Sequence, residues 1–437
     1  MNIQVETSKL LKPIAQPNLS KTRIHLSVFD SISEDAHIPI IYVYRTPTPS
    51  NAALELGLRE VLSCYREVGG RLGTDDKGKR VILLNDEGIM FVEAYADCTL
   101  DESQLLIKPS EEHLLSFHPC LDSPTALAQV QLTRFTCGSL VVGFSMNHMV
   151  CDGFSASQFL VAWGQACRGT MSIATSTLRD RTIFTPRNPP RFEFEHNGIE
   201  FRNKNEDCKF SEATEEMIIM HKLHFTLEQL DEIKSKASLD FGTKCSYSMF
   251  ESLMAYVWRS VARACSSADD GDCYKGTCLR IAVNGRRRMR PAIPDEYFGN
   301  VVLWAYPRAG MKEIVSKPIG YAAKIIHETV GNMNEEYFKS FIDFASCRVD
   351  EGDLVPKMNF TDSDACLNLN IDSWLKFPFS DMDFGEGKPV MFKPSCRIWG
   401  GQIYVVPSYI GDGRIDVYVT LSKNQLSSLK EILHAID

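Results

Sequence analysis

The chain has 437 residues, 44% hydrophobic and 24% charged, enough for two medium domains or one two-lobed unit with a sizeable core. Its net charge of −9 excludes a global field for nucleic acid or anionic lipid. No uninterrupted apolar run approaches the ~20 residues of a membrane span, and the 14 cysteines, without one CxxC pair, read as reduced and mostly buried thiols.

Met1 to Thr7 holds no apolar signal core and Leu433 to Asp437 no targeting signal, so the expected location is the cytoplasm. Ile38 to Tyr44, rich in β-branched and aromatic residues, predicts a strand. Asn51 to Glu67 sets Leu54, Leu58, Val61, Leu62 and Tyr65 at helical spacing, with Asn51 as N-cap. Arg80 to Leu84 and Met90 to Tyr95 flank the turn-prone Asn85 to Gly88 and predict a hairpin. A second hairpin is expected from Ala128 to Phe135 and Ser139 to Met146. Between Arg179 and Lys209 the periodicity breaks at Pro186, Pro189 and Pro190. Strand His221 to Phe225, helices Leu227 to Ala237 and Ser248 to Ala264, strands Ile403 to Pro407 and Ile415 to Leu421, and a helix from Lys423 follow. This mix predicts a mixed α/β fold of two similar-sized lobes, with the site in a channel between them. The expected division is 1–180, a crossover over 181–215, and 216–437. His221 and His224 have no nearby partner pair, so no metal site is expected.

Two segments fit the spacing HxxxD, and spacing alone is weak evidence. His118-Pro-Cys-Leu-Asp122 lies in a proline-containing stretch and reads as a surface loop. His148-Met-Val-Cys-Asp152 follows the apolar strand Ser139 to Phe144. Asp152-Gly153 then makes a turn, and Ser155 can cap a helix from Ala156 to Cys167. A strand end leading into a turn is a common place to present catalytic groups.

His148-Met-Val-Cys-Asp152-Gly153 resembles the HxxxDG motif of the plant BAHD acyltransferases, and Asp383-Phe-Gly-Glu-Gly387 their DFGWG signature. Val283-Asn-Gly-Arg-Arg-Arg288 resembles the family's VDGRxR, and Tyr297-Phe-Gly-Asn300 its YxGN. Asn284 stands for the usual Asp and Glu386 for the usual Trp. Longer stretches are similar to amine-acylating members, the agmatine, putrescine, tyramine and tryptamine N-hydroxycinnamoyltransferases. These stretches are Val81 to Asp86, Thr133 to Phe144, Tyr337 to Ala345 and Asp381 to Phe384.

The resemblance implies a chloramphenicol-acetyltransferase-like fold, an acyl-coenzyme A co-substrate, no resident cofactor, and a monomer. It implies transfer of a hydroxycinnamoyl or benzoyl group by direct attack, with His148 as general base. An imidazole suits that task because it titrates near neutrality. By analogy with hydrolase triads Asp152 could orient His148; the resemblance instead pairs Asp152 with Arg286, so that both, with Gly153, shape the loop. Asp383 enters the catalytic set because its motif is needed for activity in the family. Ser248 and Lys388 are candidates for coenzyme A phosphates, and Trp374 for the oxyanion. Asp372 takes the place of a common threonine. An amine of pKa ~10.4 lies about 3.4 units from its nucleophilic form at pH 7, roughly 4.6 kcal/mol, so a carboxylate that attracts the cation would suit an amine acceptor. The alternatives are O-acylation of an alcohol and a catalytically silent small-molecule binder.

Overall fold

Alternating β-branched and aromatic residues build the sheets, and the turns between them decide which sheet each strand joins. The computed structural model describes residues 1–14, 22–107, 111–119, 124–171, 178–205, 217–239, 247–268, 274–348, 354–357, 366–395, 399–409 and 412–434. The chain forms two units of similar size. The first comprises residues 1–185, 293–301 and 376–397, and the second 186–292, 302–375 and 398–437.

The first unit's main sheet runs, in spatial order, Ile3–Leu11, Ile89–Ala96, Ala128–Phe135, Leu140–Asn147, His37–Tyr44 and Met391–Pro394. Ala128–Phe135 and Leu140–Asn147 form the expected antiparallel hairpin, and both strands are almost wholly buried. Helices Asn51–Cys64 and Gly153–Cys167 approach closely: a Cβ on Gly57 would stand 2.5 Å from Cys167 Sγ. Trp163 Nε1 donates to Leu54 O at 2.9 Å.

Several expectations are corrected here. Ser50 is the N-cap of the first of these helices, accepting from Ala53 N. Asn51 is engaged elsewhere, its Nδ2 donating to Glu93 at 2.7 Å and its Oδ1 accepting from Arg134 at 2.8 Å. Arg80–Leu83 and Ile89–Ala96 are not a hairpin. The first joins a small sheet with Arg23–His25 and Arg71–Thr74, the second the main sheet. The link between them is diverted at Asp86, whose positive φ of 52° accompanies a forked pairing with Arg66 at 2.9 and 2.7 Å.

The chain is also not divided by single cuts. Met391–Pro394 pairs antiparallel with His37–Tyr44, so the second signature belongs with the first unit, not the C-terminal lobe. Residues 293–301 belong there too, and the first unit continues through the 3₁₀ turn Arg181–Phe184. Residues 206–215 of the expected crossover lie outside the described residues.

The second unit's main sheet runs Ile218–Phe225, Ile415–Ser422, Gln402–Pro407, Cys366–Ser373, Gly276–Asn284 and Val302–Ala305, with Arg308–Gly310 also on Gly276–Asn284. Cys366–Ser373 is central and parallel to both neighbours. Its alternation buries Leu367, Leu369 and Ile371, while Asn368, Asn370 and Asp372 share the other face. Leu227–Leu239, Met249–Ala268, Ile319–Gly331 and Lys423–His434 are the longer helices that pack together or on this sheet. Among the described residues, no helix is long and apolar enough to cross a membrane.

Candidate active site

The strand Leu140–Asn147 ends at the turn that carries His148. That turn is fixed on both sides. His148 N–H donates to Ala36 O at 2.9 Å, and its carbonyl accepts from Asn300 Nδ2 at 2.9 Å. Asn147 clamps the turn from within: its Oδ1 accepts Met149 N–H at 2.9 Å and its Nδ2 donates to Asp35 at 2.8 Å. Burial works to raise the Asp35 carboxyl, but bonds from Arg80 and Asn147 hold it below the usual range. The His148 ring is half-buried, and its Nδ1 has no hydrogen-bond partner among the described residues. Neighbouring His37 lies opposite Asn147, 3.0 Å from Ser145 Oγ, and burial pushes its imidazole down to about 4.

Asp152 does its work on backbone. It is the N-cap of helix Gly153–Cys167, with Oδ1 accepting from Ser155 N at 3.0 Å and Oδ2 from Val301 N at 3.0 Å. The helix therefore starts three residues earlier than expected, and Ser155 is inside it. Ser155 Oγ bonds the Gly299 carbonyl at 3.0 Å, so residues 297–301 fold onto the His148 turn. Gly153 is needed for space: a Cβ there would stand 2.9 Å from the Phe377 ring. Cys151 is buried, with its thiol 3.1 Å from Met146 Sδ.

The second signature is a closed turn. Asp383 Oδ1 accepts from Gly385 N at 2.7 Å and Gly387 N at 3.1 Å, and both glycines have φ near +114°. Arg168 donates to the Asp383 carbonyl and stands 3.9 Å from its carboxylate. Phe384 is buried against Trp163, with centroids 4.9 Å apart, and against Tyr44 at 5.3 Å. A Cβ on Gly164 would lie 2.6 Å from the Asp383 carbonyl, so only glycine lets the helix approach this turn. Glu386, in the family's tryptophan position, is exposed. Lys388 is exposed and pairs with Asp381 at 2.7 Å.

In the second unit Asp372 ends the polar face of its strand and accepts from Gln402 Nε2 at 2.8 Å. Trp374 is buried, its ring 5.7 Å from that of Tyr404. Arg286 is buried in the turn after Gly276–Asn284, and Asn284 Oδ1 accepts its N–H at 3.0 Å. Asn284 thus preserves the turn chemistry of the usual Asp. Ser248 caps the helix Met249–Ala268 in a reciprocal box with Glu251, at 3.2 and 2.7 Å. Its hydroxyl oxygen is therefore already engaged as a cap.

His118 is not on the surface. It is buried, Nε2 lies 2.7 Å from Ser395 Oγ, and desolvation pushes its pKa down to about 3. Asp122 lies outside the described residues. Among the described residues, no group of three His, Cys, Asp or Glu side chains could hold a metal.

Sequence reasoning missed Asp35, Asn147, Asp30 and Arg181 and took Asn300 only as part of a marker. Ser27-x-x-Asp30 is a capping-box pattern and was the available signal for Asp30. Asn300 acts through the His148 carbonyl, Asp35 through the Asn147 and Arg80 side chains, and Arg181 through Asp30, pairings between residues distant in sequence that no spacing encodes.

Residues 1–435 match the family described as Transferase. Agmatine hydroxycinnamoyltransferase 1 of Oryza sativa subsp. japonica is 41% identical, across 100% of this chain and 99% of that protein. Putrescine hydroxycinnamoyltransferase 3 of the same organism is 37% identical, across the full length of both. Shikimate O-hydroxycinnamoyltransferase of Nicotiana tabacum is 32% identical, across 99% of this chain and 100% of that one. Among solved structures, vinorine synthase gives a TM-score of 0.76 at 20% identity, covering 100% of this chain and 99% of that one. F. graminearum TRI101, complexed with coenzyme A and deoxynivalenol, gives 0.77 at 18%, covering 94% and 97%. At such identities these two structures bear on the fold alone.

Proposed function

Since the chain belongs to the Transferase family, the BAHD acyltransferases that its motifs resemble, we propose that it transfers a hydroxycinnamoyl or benzoyl group from an acyl-coenzyme A thioester to the nitrogen of a small amine. The observation that carries this reading is full-length similarity to proteins named for agmatine and putrescine as acceptors, at higher identity than to the one named for shikimate.

Once the bound acceptor has released its ammonium proton to solvent, the neutral amine nitrogen attacks the thioester carbonyl carbon, and His148 takes the further proton that nitrogen loses as the C–N bond forms. The C–S bond then breaks, and coenzyme A leaves as a thiol with the proton returned by His148. Trp374 is assigned to the oxyanion. Asp372 is assigned to attracting the ammonium form of the acceptor, and its half-buried place on a polar strand face beside Gln402 supports that role. Asp152 and Arg286, with Gly153, shape the loop that holds His148, and Asp383 supports activity by holding its own turn. Lys388 and Ser248 are assigned to coenzyme A phosphates. The reading takes the enzyme as a cytoplasmic monomer without a resident cofactor.

Thiol release from p-coumaroyl-coenzyme A across a panel of amines and alcohols tests the reaction. Release with amines supports it, release with alcohols alone reassigns it to O-acylation, and none with any acceptor favours a silent binder. Asp372→Asn should raise the amine KM by ~10-fold or more while leaving the acyl-coenzyme A KM near its wild-type value. An unchanged amine KM overturns the cation-attracting role.

A further inference from the structure

One buried side chain, Asn300, reaches the backbone of His148, and two more, Asp30 and Arg181, stand behind it. Asp30 is fully buried, and both carboxylate oxygens are engaged. Oδ1 accepts from Asn300 N at 3.0 Å and Asn300 Nδ2 at 2.9 Å. Oδ2 accepts from Ser27 N at 2.7 Å and Ser27 Oγ at 2.6 Å, and is ion-paired with buried Arg181. Buried ion pairs of this kind are weak sources of stability, because desolvation offsets the attraction. What this pair does is hold Asn300 in one orientation.

The orientation matters because Asn300 Nδ2 carries two hydrogens. One is directed to Asp30 and the other to the carbonyl of His148, at 2.9 Å each. Their fixed angle ties the His148 carbonyl to the anchored carboxylate. His148 N–H is already tied to Ala36. Both backbone groups of the base are thereby fixed. Aspartate, leucine or threonine at this position cannot supply two donors from one atom, and glutamine would overreach.

We propose that Asn300, oriented by the Asp30–Arg181 pair, is a positioning residue for His148, acting through the His148 carbonyl. The inference rests on the reading of His148 as the general base. Displacement of a reacting group by about 1 Å can cost ~10²-fold in rate. Asn300→Ala should therefore lower kcat by about 10²-fold, with both KM values within about twofold of wild type. The ¹⁵N signals of the His148 ring, assigned by their loss in His148→Ala, should shift in the same variant.

Asn300→Ser, which keeps one donor, should fall between the two. It also decides the matter if the alanine variant does not fold. A folded variant whose kcat stays within about threefold of wild type, or whose His148 ring signals stay put, overturns the proposal. The two readings fail separately. Full turnover in His148→Ala removes the base assignment, whereas the ring signals report positioning without any turnover.

Discussion

The two signature turns of the first unit satisfy their backbones in opposite ways. The 148–152 turn depends on distant partners: Ala36, Asn300, Val301 and, through Asn147, Asp35. The 383–387 turn closes on itself, with one aspartate oxygen accepting two of its own amides. A turn held from outside can present a reactive ring in one orientation, because its neighbours are themselves fixed. The 383–387 turn takes less from outside, a bond from Arg168 to the Asp383 carbonyl, and what it gives the fold is Phe384 in the core and a close seat for the helix at Gly164.

The sharpest way to break the contrast is His148→Ala. Turnover should fall by ~10³-fold or more, about 4 kcal/mol, with melting unchanged, as steady-state kinetics and calorimetry will read. Next is Asp152→Ala, which removes the helix cap and leaves Ser155 N–H and Val301 N–H without their acceptor. A loss of roughly 2–3 kcal/mol in urea unfolding is expected. Equal unfolding midpoints would show that the carboxylate is not what holds the turn.

Acid should test the surroundings of both turns. His118 and His37 have folded values depressed to about 3 and about 4 from 6.5, so the unfolded chain binds their protons first. Their contribution is complete above pH 6.5 and is lost as pH falls from there toward 3–4, at about 1.4 kcal/mol per unit for each. His118→Asn should flatten the fall in stability between pH 6.5 and 5. The smallest effect belongs to the closed turn. Asp383→Asn keeps an oxygen that can accept from Gly385 and Gly387 and gives up only a 3.9 Å ion pair with Arg168. Activity within ~threefold and stability within ~1 kcal/mol are expected. A loss comparable to that of His148→Ala would restore Asp383 to the chemistry itself.

Much of the chain was legible because local signals and tertiary needs agreed. The strands 37–44 and 140–147, and the helices 227–239 and 249–268, follow from periodicity, since each buries one face or lies wholly inside. His148 was legible from its place after a buried strand and from the family motifs. Composition and pattern by themselves determined an α/β chain with a histidine presented at a strand end. Only the tertiary structure decided that 376–397 joins the first sheet, that His118 is core, and that Asp152 serves two backbone amides. Strand pairing and backbone hydrogen bonds link residues about 350 positions apart, as Ile40 and Pro394 are paired here, and the free energy of such contacts depends on geometry that residue type and spacing do not carry.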